Sequence, residues 1–339
     1  MDIQNTYQNF KELSLKNRFF KHSELIILLN NLPKTFKVQK LGNSLNGKSI
    51  NLVVWGNGDQ KVMLWSQMHG DEATGTMALF DLMNYLQTEN DTVKSIAEKC
   101  TLYIIPMVNP DGAEIFTRRN AQQIDINRDF LARVSPEAQL LINCRDSINP
   151  QFGFNLHDQN TLWSVSDTLK PATLSFLAPA TDKENSISEA RKNAMLVIAD
   201  IYNDLNQVLP QQIGLFDDEY EPRAFGDNFQ RLGTSTILIE AGGFKQDFEK
   251  QEIRKFYFSA ILSGLQSIAK KSYLKQELSN YLNIPENSKK IFHTLIKNVK
   301  IDEKQISIGI NYEENIIADD FTKTVKTFNI EDIGDLSSY

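Results

Sequence analysis

Two β-rich runs lie on either side of Asn46-Gly47 in the stretch FKVQKLGNSLNGKSINLVVWGNG, and an Asn-Gly step between such runs predicts a hairpin. A Gly-Asn-Gly turn at 56–58 then leads into the apolar run KVMLWSQ. Downstream, Leu79, Leu82, Met83 and Leu86 recur at i, i+3, i+4 and i+7, the period of an amphipathic helix. LYIIPMV reads as a buried strand that stops at Asn109-Pro110-Asp111-Gly112, where every residue favours a turn. FGFNLHD and TSTILIEAGG are two more short apolar runs that end in polar residues or glycine. Ala194, Ile198, Ile201, Tyr202 and Leu205 mark a helix between them, and Ile253, Phe256, Tyr257, Ala260 and Ile261 mark another after the last. Buried strands alternating with helices predict an α/β fold, with a mixed twisted β-sheet between helices. Residues 1–35 read as an N-terminal helical extension of one or two helices ending near Leu32-Pro33. Beyond about Lys271 the period changes to two in KNVKIDEKQISIGINY and TKTVKTFNIEDIGDL, which predicts a short helical linker and then a small β-rich appendage, together 274–339.

With 339 residues, 41% of them hydrophobic, the chain can bury the core of one large domain and a small appendage. The net charge of −7 and the lack of any Lys/Arg block argue against nucleic acid and anionic membrane as partners. No apolar stretch reaches 18 residues, and the first 32 residues lack the basic, apolar and small-residue segments of a secretory signal. A cytoplasmic location is the expectation. Cys100 and Cys144, neither in a CxxC, are expected to be reduced thiols in or near the core.

Candidate chemistry gathers where the apolar runs end. His69 and Glu72 follow KVMLWSQ, His157 follows FGFNL, and Glu240 ends TSTILI. Ligands of open α/β sheets bind outside the carboxyl ends of the strands. A His-x-x-Glu pair recurs by chance and a lone histidine usually belongs to a core. Their joint placement at strand ends, however, makes a His2Glu set, one of the standard donor sets of catalytic zinc. Such a site needs a carboxylate that takes the proton without being a ligand. Glu240 fits, because a carboxylate ending an apolar strand is costly to desolvate and its pKa should rise. The segment NPDGAEIFTRRNAQQIDINRDF adds Arg118, Arg119, Asn120, Asp125, Asn127 and Arg128, and guanidinium groups suit carboxylate recognition and oxyanion stabilisation.

In order along residues 36–270, GNSLNGKSI, His69-x-x-Glu72, Asn109-Pro-Asp-Gly, TRRNA, Asp125-Ile-Asn-Arg, Leu156-His157 and Thr236-Ile-Leu-Ile-Glu240 resemble the zinc carboxypeptidase family, the carboxypeptidase A-like metallopeptidases. The resemblance implies a catalytic domain over 36–273 that binds one Zn2+ per chain through His69, Glu72 and His157. It implies Glu240 as general base and then general acid, and Arg118 as the group that polarises the scissile carbonyl. Asn127 and Arg128 would hold the substrate's terminal carboxylate. Asp125 would accept from the far nitrogen of His69 and fix its orientation. Asp71 stands where family members often carry arginine, and Tyr220 lies near the place of the family's mobile tyrosine. The implied activity is hydrolysis of a peptide's C-terminal amide bond. An amidase or deacylase acting on an N-acyl amino acid or a cell-wall peptide is the alternative, and a non-catalytic metal- or peptide-binding module is a third. In the first two readings the substrate is a peptide or a small acylated amino acid with a free carboxylate.

Overall fold

A computed structural model describes residues 6–166, 168–317 and 320–339. Besides 3-10 turns at Tyr7–Asn9, Ile126–Arg128 and Ser272–Lys275, the helices are α1 (His22–Asn30), α2 (Thr74–Tyr85), α3 (Asp91–Lys99), α4 (Pro110–Glu114), α5 (Pro136–Ile148), α6 (Glu189–Leu205), α7 (Phe225–Arg231), α8 (Gln251–Lys270) and α9 (Leu278–Leu282). The strands are β1 (Lys37–Asn43), β2 (Ser49–Gly56), β3 (Gln60–Ser66), β4 (Cys100–Ile105), β5 (Phe152–Asp158), β6 (Ser164–Val165), β7 (Leu174–Leu177), β8 (Ile213–Leu215), β9 (Ser235–Ala241), β10 (Asn287–Ser288), β11 (Thr294–Ile301), β12 (Lys304–Ile317) and β13 (Asp320–Gly334).

Among the described residues, eight strands form one sheet in the order β1-β2-β4-β3-β5-β9-β7-β8. The hairpin turns at Asn46-Gly47 as expected, with Gly47 at φ +82°. At the centre β3, β5 and β9 lie side by side and parallel, with Ser66 opposite Leu156 and His157 opposite Glu240. Their carboxyl ends therefore open at one place. Parallel central strands are covered on both faces, which explains why their sequences are continuous apolar runs rather than alternating ones. One face packs Leu64, Phe154 and Ile239 against α2, α6 and α8. The other packs Met63, Trp65 and Ile105 against α5 and α7 through Leu141, Ile142, Phe225 and Phe229. Cys100 and Cys144 are free and buried.

The N-terminal segment forms one helix, α1, and otherwise runs irregularly while burying Phe10, Leu15, Phe19 and Phe20. A fully buried ion pair ties it down: the Tyr7 hydroxyl and the Arg254 guanidinium both donate to the Asp81 carboxylate, and Arg254 also donates to the carbonyls of Glu12 and Leu15. A charge buried to this depth needs such saturation of its donors and acceptors to persist.

At the other end of the chain, β11–β13 make a separate three-stranded antiparallel sheet. The residues leading into it are joined to the main body. β10 pairs with β6, the backbone N–H of Leu215 donates to Pro285, and Thr161 Oγ1 lies 3.3 Å from Nε2 of His293. No helix of the described residues is long and apolar enough to cross a membrane.

Candidate metal centre

Strand β3 ends at Ser66, and the chain turns through Gln67 at φ +52° before reaching His69. That left-handed conformation is unfavourable for a residue with a Cβ. Here the Gln67 side chain compensates, donating to the Gly70 carbonyl at 2.9 Å and accepting from Thr76 Oγ1 at 2.9 Å. Gly70 must be glycine, because a Cβ there would lie 2.2 Å from the carbonyl carbon of Gly112. This close approach brings the loop after α4 against the His69 turn, with the Gly70 N–H donating to the Arg118 carbonyl at 3.4 Å. Arg118 thereby reaches the end of β3 from 49 residues away in sequence.

His69, Glu72 and His157 converge, each offering one ligand atom within 4.8 Å of the others, and all three are buried. Nδ1 of His69 is 2.6 Å from Oε1 of Glu72, and Nδ1 of His157 is 2.7 Å from Oε2. The other nitrogen of His69 is 3.1 Å from Oδ1 of Asp125, a contact that orients the ring. Among the described residues Nε2 of His157 is buried without a partner, and its Nδ1 is the nitrogen that faces the cluster. Two imidazoles and one carboxylate, open on one side to a cleft, are the donor types and the partial coordination of a catalytic zinc site. The residues present fit that metal.

Burial opposes charging of His69, but the Glu72 and Asp125 carboxylates outweigh it and push its pKa up to about 9. Burial would likewise raise Glu72, yet the two imidazoles hold its carboxyl well below the usual range. For His157 burial wins over the pull of Glu72, and its pKa falls. A neutral His157 and an ionised Glu72 are the protonation states that ligate, whereas metal and proton compete for His69.

Arg118 caps the cluster. Its Nη1 lies 3.1 Å from Nδ1 of His69 and 3.3 Å from Oε1 of Glu72, while Nε donates to Asp125 Oδ2 at 3.0 Å. Burial of Asp125 is more than offset by hydrogen bonds from His69 and Arg118, which lower its pKa. Arg119 instead turns to its own loop and donates to the Gln123 carbonyl at 2.9 Å. Asp71 is pushed up to about 6 by burial and by the neighbouring Glu72.

Glu240 shares the cleft with the cluster. Among the described residues it forms no ion pair, and its Oε2 is buried without a hydrogen-bond partner. Burial, and then repulsion from Glu72 and Asp158, raise its pKa well above the ordinary value, against the opposing pull of Lys250 and Arg118. A carboxylate whose pKa is raised in this way is a stronger base than a solvated one.

The cleft holds about 330 Å3 and its wall includes Arg118, Asn127, Arg128, Asn155, Trp163, Leu238, Glu219 and Glu221. Asn127 is fixed by the Phe225 N–H, which donates to its Oδ1 at 3.0 Å. Tyr220 is not brought to this wall. It lies half-buried in an irregular loop while Glu219 and Glu221 on either side reach the cleft. A more open hollow of about 450 Å3, lined by Gln60, Phe152 and Ser235 at the amino ends of the central strands, is remote from the cluster.

Three further residues belong to the site. The Tyr257 hydroxyl, from α8, donates to the Ile239 carbonyl at 2.7 Å and accepts from the His157 N–H at 3.1 Å, pinning the ends of β5 and β9 together. Its partner lies 100 residues away, and no sequence signal marks it. The buried Lys250 ammonium donates to Asp158 Oδ2 and to the Ala241 carbonyl, both at 2.9 Å, one residue beyond each of His157 and Glu240. Asn155 is 1% exposed on the cleft wall, and among the described residues neither of its side-chain polar atoms has a partner. Its signal was readable: a lone amide two residues before His157 in an apolar strand shares that residue's face.

Residues 23–202, more than half of the chain, match the zinc carboxypeptidase family. Rat carboxypeptidase D is similar, with 21% identity over 290 residues, covering 74% of this chain and 21% of that protein. The chain spans about a third or less of the length of the curated relatives it matches. Among solved structures, the metallo-carboxypeptidase of Burkholderia cenocepacia superimposes with a TM-score of 0.56 at 16% identity, covering 76% of this chain and 70% of that one. Carboxypeptidase A of Helicoverpa armigera gives 0.59 at 15% identity, covering 76% and 75%. At such identities the likeness speaks for the fold, a central mixed sheet flanked by helices. The family match rests on the sequence itself, and with it the chain belongs to the zinc carboxypeptidase family.

Proposed function

We propose that this chain is a zinc-dependent metallocarboxypeptidase that hydrolyses the C-terminal amide bond of a peptide. The observation that carries the proposal is one cleft holding both a His69, Glu72, His157 donor set and an unpartnered carboxyl group, Glu240, with a raised pKa. When bound by His69, Glu72 and His157, zinc supplies a Lewis acid that makes water nucleophilic at neutral pH. Glu240 takes the proton released as the nucleophile forms and returns it to the leaving amine nitrogen. The Arg118 guanidinium, already facing the donor set, stabilises negative charge as it develops on the carbonyl oxygen. Asn127 and Arg128, on the wall of the same cleft, bind the terminal carboxylate and so place the last amide bond over the cluster. Asp125 and Tyr257 orient, the first the ring of His69 and the second the backbone of His157.

Within this proposal residues 36–273 are the catalytic unit, 1–35 an extension and 274–339 an appendage beside the cleft. The contact of Thr161 with His293 and the placement of Lys289 over the ring of Trp163, a wall residue, support that position for the appendage.

The test is hydrolysis of a panel of peptides and N-acyl amino acids by zinc-loaded protein, with products read by mass spectrometry. Release of single C-terminal residues, abolished by a chelator and in Glu240→Gln, is the expected result. Cleavage of N-acyl amino acids with none of peptides would replace the proposal by the amidase reading. Hydrolysis unaffected in Glu240→Gln would remove its mechanism.

A further inference from the structure

The proposed carboxylate anchor already carries a carboxylate. Nε of Arg128 lies 3.2 Å from Oε2 of Glu221, in the loop between β8 and α7. Glu221 is held from several sides. Its N–H donates to Oδ1 of Asp227 at 3.0 Å, and its carboxylate accepts from Nε and Nη2 of Arg223 at 2.9 and 2.6 Å. Hydrogen bonds from Arg223 outweigh the effect of burial and, helped by the charge of Arg128, bring its pKa down to about 2. Glu221 is therefore an anion throughout the working range, and both it and Arg128 are on the cleft wall. Among the described residues Arg128 otherwise donates only from Nη1, to the carbonyl of its neighbour Asn127.

We propose that Glu221 is a built-in competitor for the substrate's terminal carboxylate. It occupies Arg128 until a peptide carboxylate displaces it and leaves it paired with Arg223 alone, so recognition at Arg128 is an exchange of one carboxylate for another. This rests on the reading of Arg128 as the anchor. The exchange is feasible because Glu221 meets Arg223 with both oxygens and keeps that pair when it leaves Arg128. Neither arginine is then left without an anion. A group that carries no negative charge does not displace Glu221, so a C-terminal amide neither gains from Arg128 nor loses by the competition. Affinity for the free acid is kept modest in return, which favours release of the amino-acid product.

The experiment is calorimetric titration of zinc-loaded Glu240→Gln protein, which prevents turnover, with one peptide as free acid and as C-terminal amide. Adding Glu221→Gln is expected to tighten the free acid about threefold to fivefold, the scale of a partly exposed ion pair, and to leave the amide within about twofold. Glu221→Ala should behave alike, and thermal melts confirm that both variants fold. Arg223→Ala should weaken the free acid when Glu221 is present and have no effect in the Glu221→Gln background, since Arg223 acts through Glu221. An unchanged or weaker free acid in Glu221→Gln, or an equal gain for the amide, overturns the inference and leaves the anchor intact. Equal affinity for acid and amide before any change at 221 overturns the anchor itself, and the inference with it.

Discussion

Replacing Tyr257 by phenylalanine removes one oxygen from the interior and tests how the site is held. The side chain is fully buried, and its hydroxyl joins two strand ends: it donates to Ile239 and accepts from the N–H of His157. Burial, with the nearby carboxylates of Asp158 and Glu240, pushes its pKa well above 10, so the hydroxyl keeps its proton and the donated bond persists at every working pH. The substitution leaves no cavity larger than a hydroxyl but strands a buried N–H and a buried carbonyl. A buried group left unsatisfied costs about 1–3 kcal/mol, so a loss of about 2–3 kcal/mol is expected. For a chain of 339 residues that corresponds to a fall in Tm of roughly 3–4 °C. The freed N–H belongs to a proposed zinc ligand, and loss of a group that orients a ligand typically costs about 10–100-fold in metal affinity. Because the contact is to backbone rather than to the ring, the lower end is expected. Urea unfolding measures the first quantity, and competition with a chromophoric chelator the second. A stability change below about 0.5 kcal/mol with unchanged zinc affinity would refute the claim that Tyr257 positions His157.

Two further expectations concern buried charge. Asp81→Ala should destabilise the protein by about 3–5 kcal/mol, because it leaves Arg254 uncompensated in the interior, and Asp81→Ala with Arg254→Met should lose less. Urea midpoints decide it, and a double variant less stable than the single one would contradict the argument. Burial pushes Asp227 up to about 6, against about 3.9 in an unfolded chain, so the folded state binds more protons between those values. Stability should therefore decline as pH rises from about 4 to about 6 and then level off. Asp227→Asn should remove that slope and gain about 1–3 kcal/mol at pH 7.5 with no gain at pH 4, as read by denaturant unfolding at both. No gain at pH 7.5 would show that Asp227 is not strained by ionisation.

The central strands of the sheet are more legible in the sequence than its edge. β3, β5 and β9 are legible because a central parallel strand is apolar on both faces, and the polar residue that ends each run stands out: His69 just past β3, His157 in β5, Glu240 in β9. Local patterns did not reveal β7 and β8, which are four and three residues long, too short to show a period. Nor did they show α5, whose start is marked only by Ser135, which caps the Ala138 N–H, and by Pro136 in the first turn. Tyr257, Lys250 and Arg254 were unreadable for another reason. Each sits on or at the start of α8 as an ordinary helix residue, and its meaning comes from partners at His157, Asp158 and Asp81 that only the tertiary fold supplies. Tyr220 was singled out by spacing from Glu240, but loop geometry decides which of three consecutive residues faces the cleft, and Glu219 and Glu221 do.

Everything proposed for this cleft depends on metal at His69, Glu72 and His157. The most direct measurement is elemental analysis of zinc-equilibrated, desalted protein beside His157→Ala, whose removed ring faces Glu72 at 2.7 Å. About one zinc per native chain, and none retained by the variant while its melting transition remains cooperative, is the result predicted. No zinc in the native protein, or equal zinc in both, would contradict the assignment of the ligand set and the hydrolytic chemistry built on it.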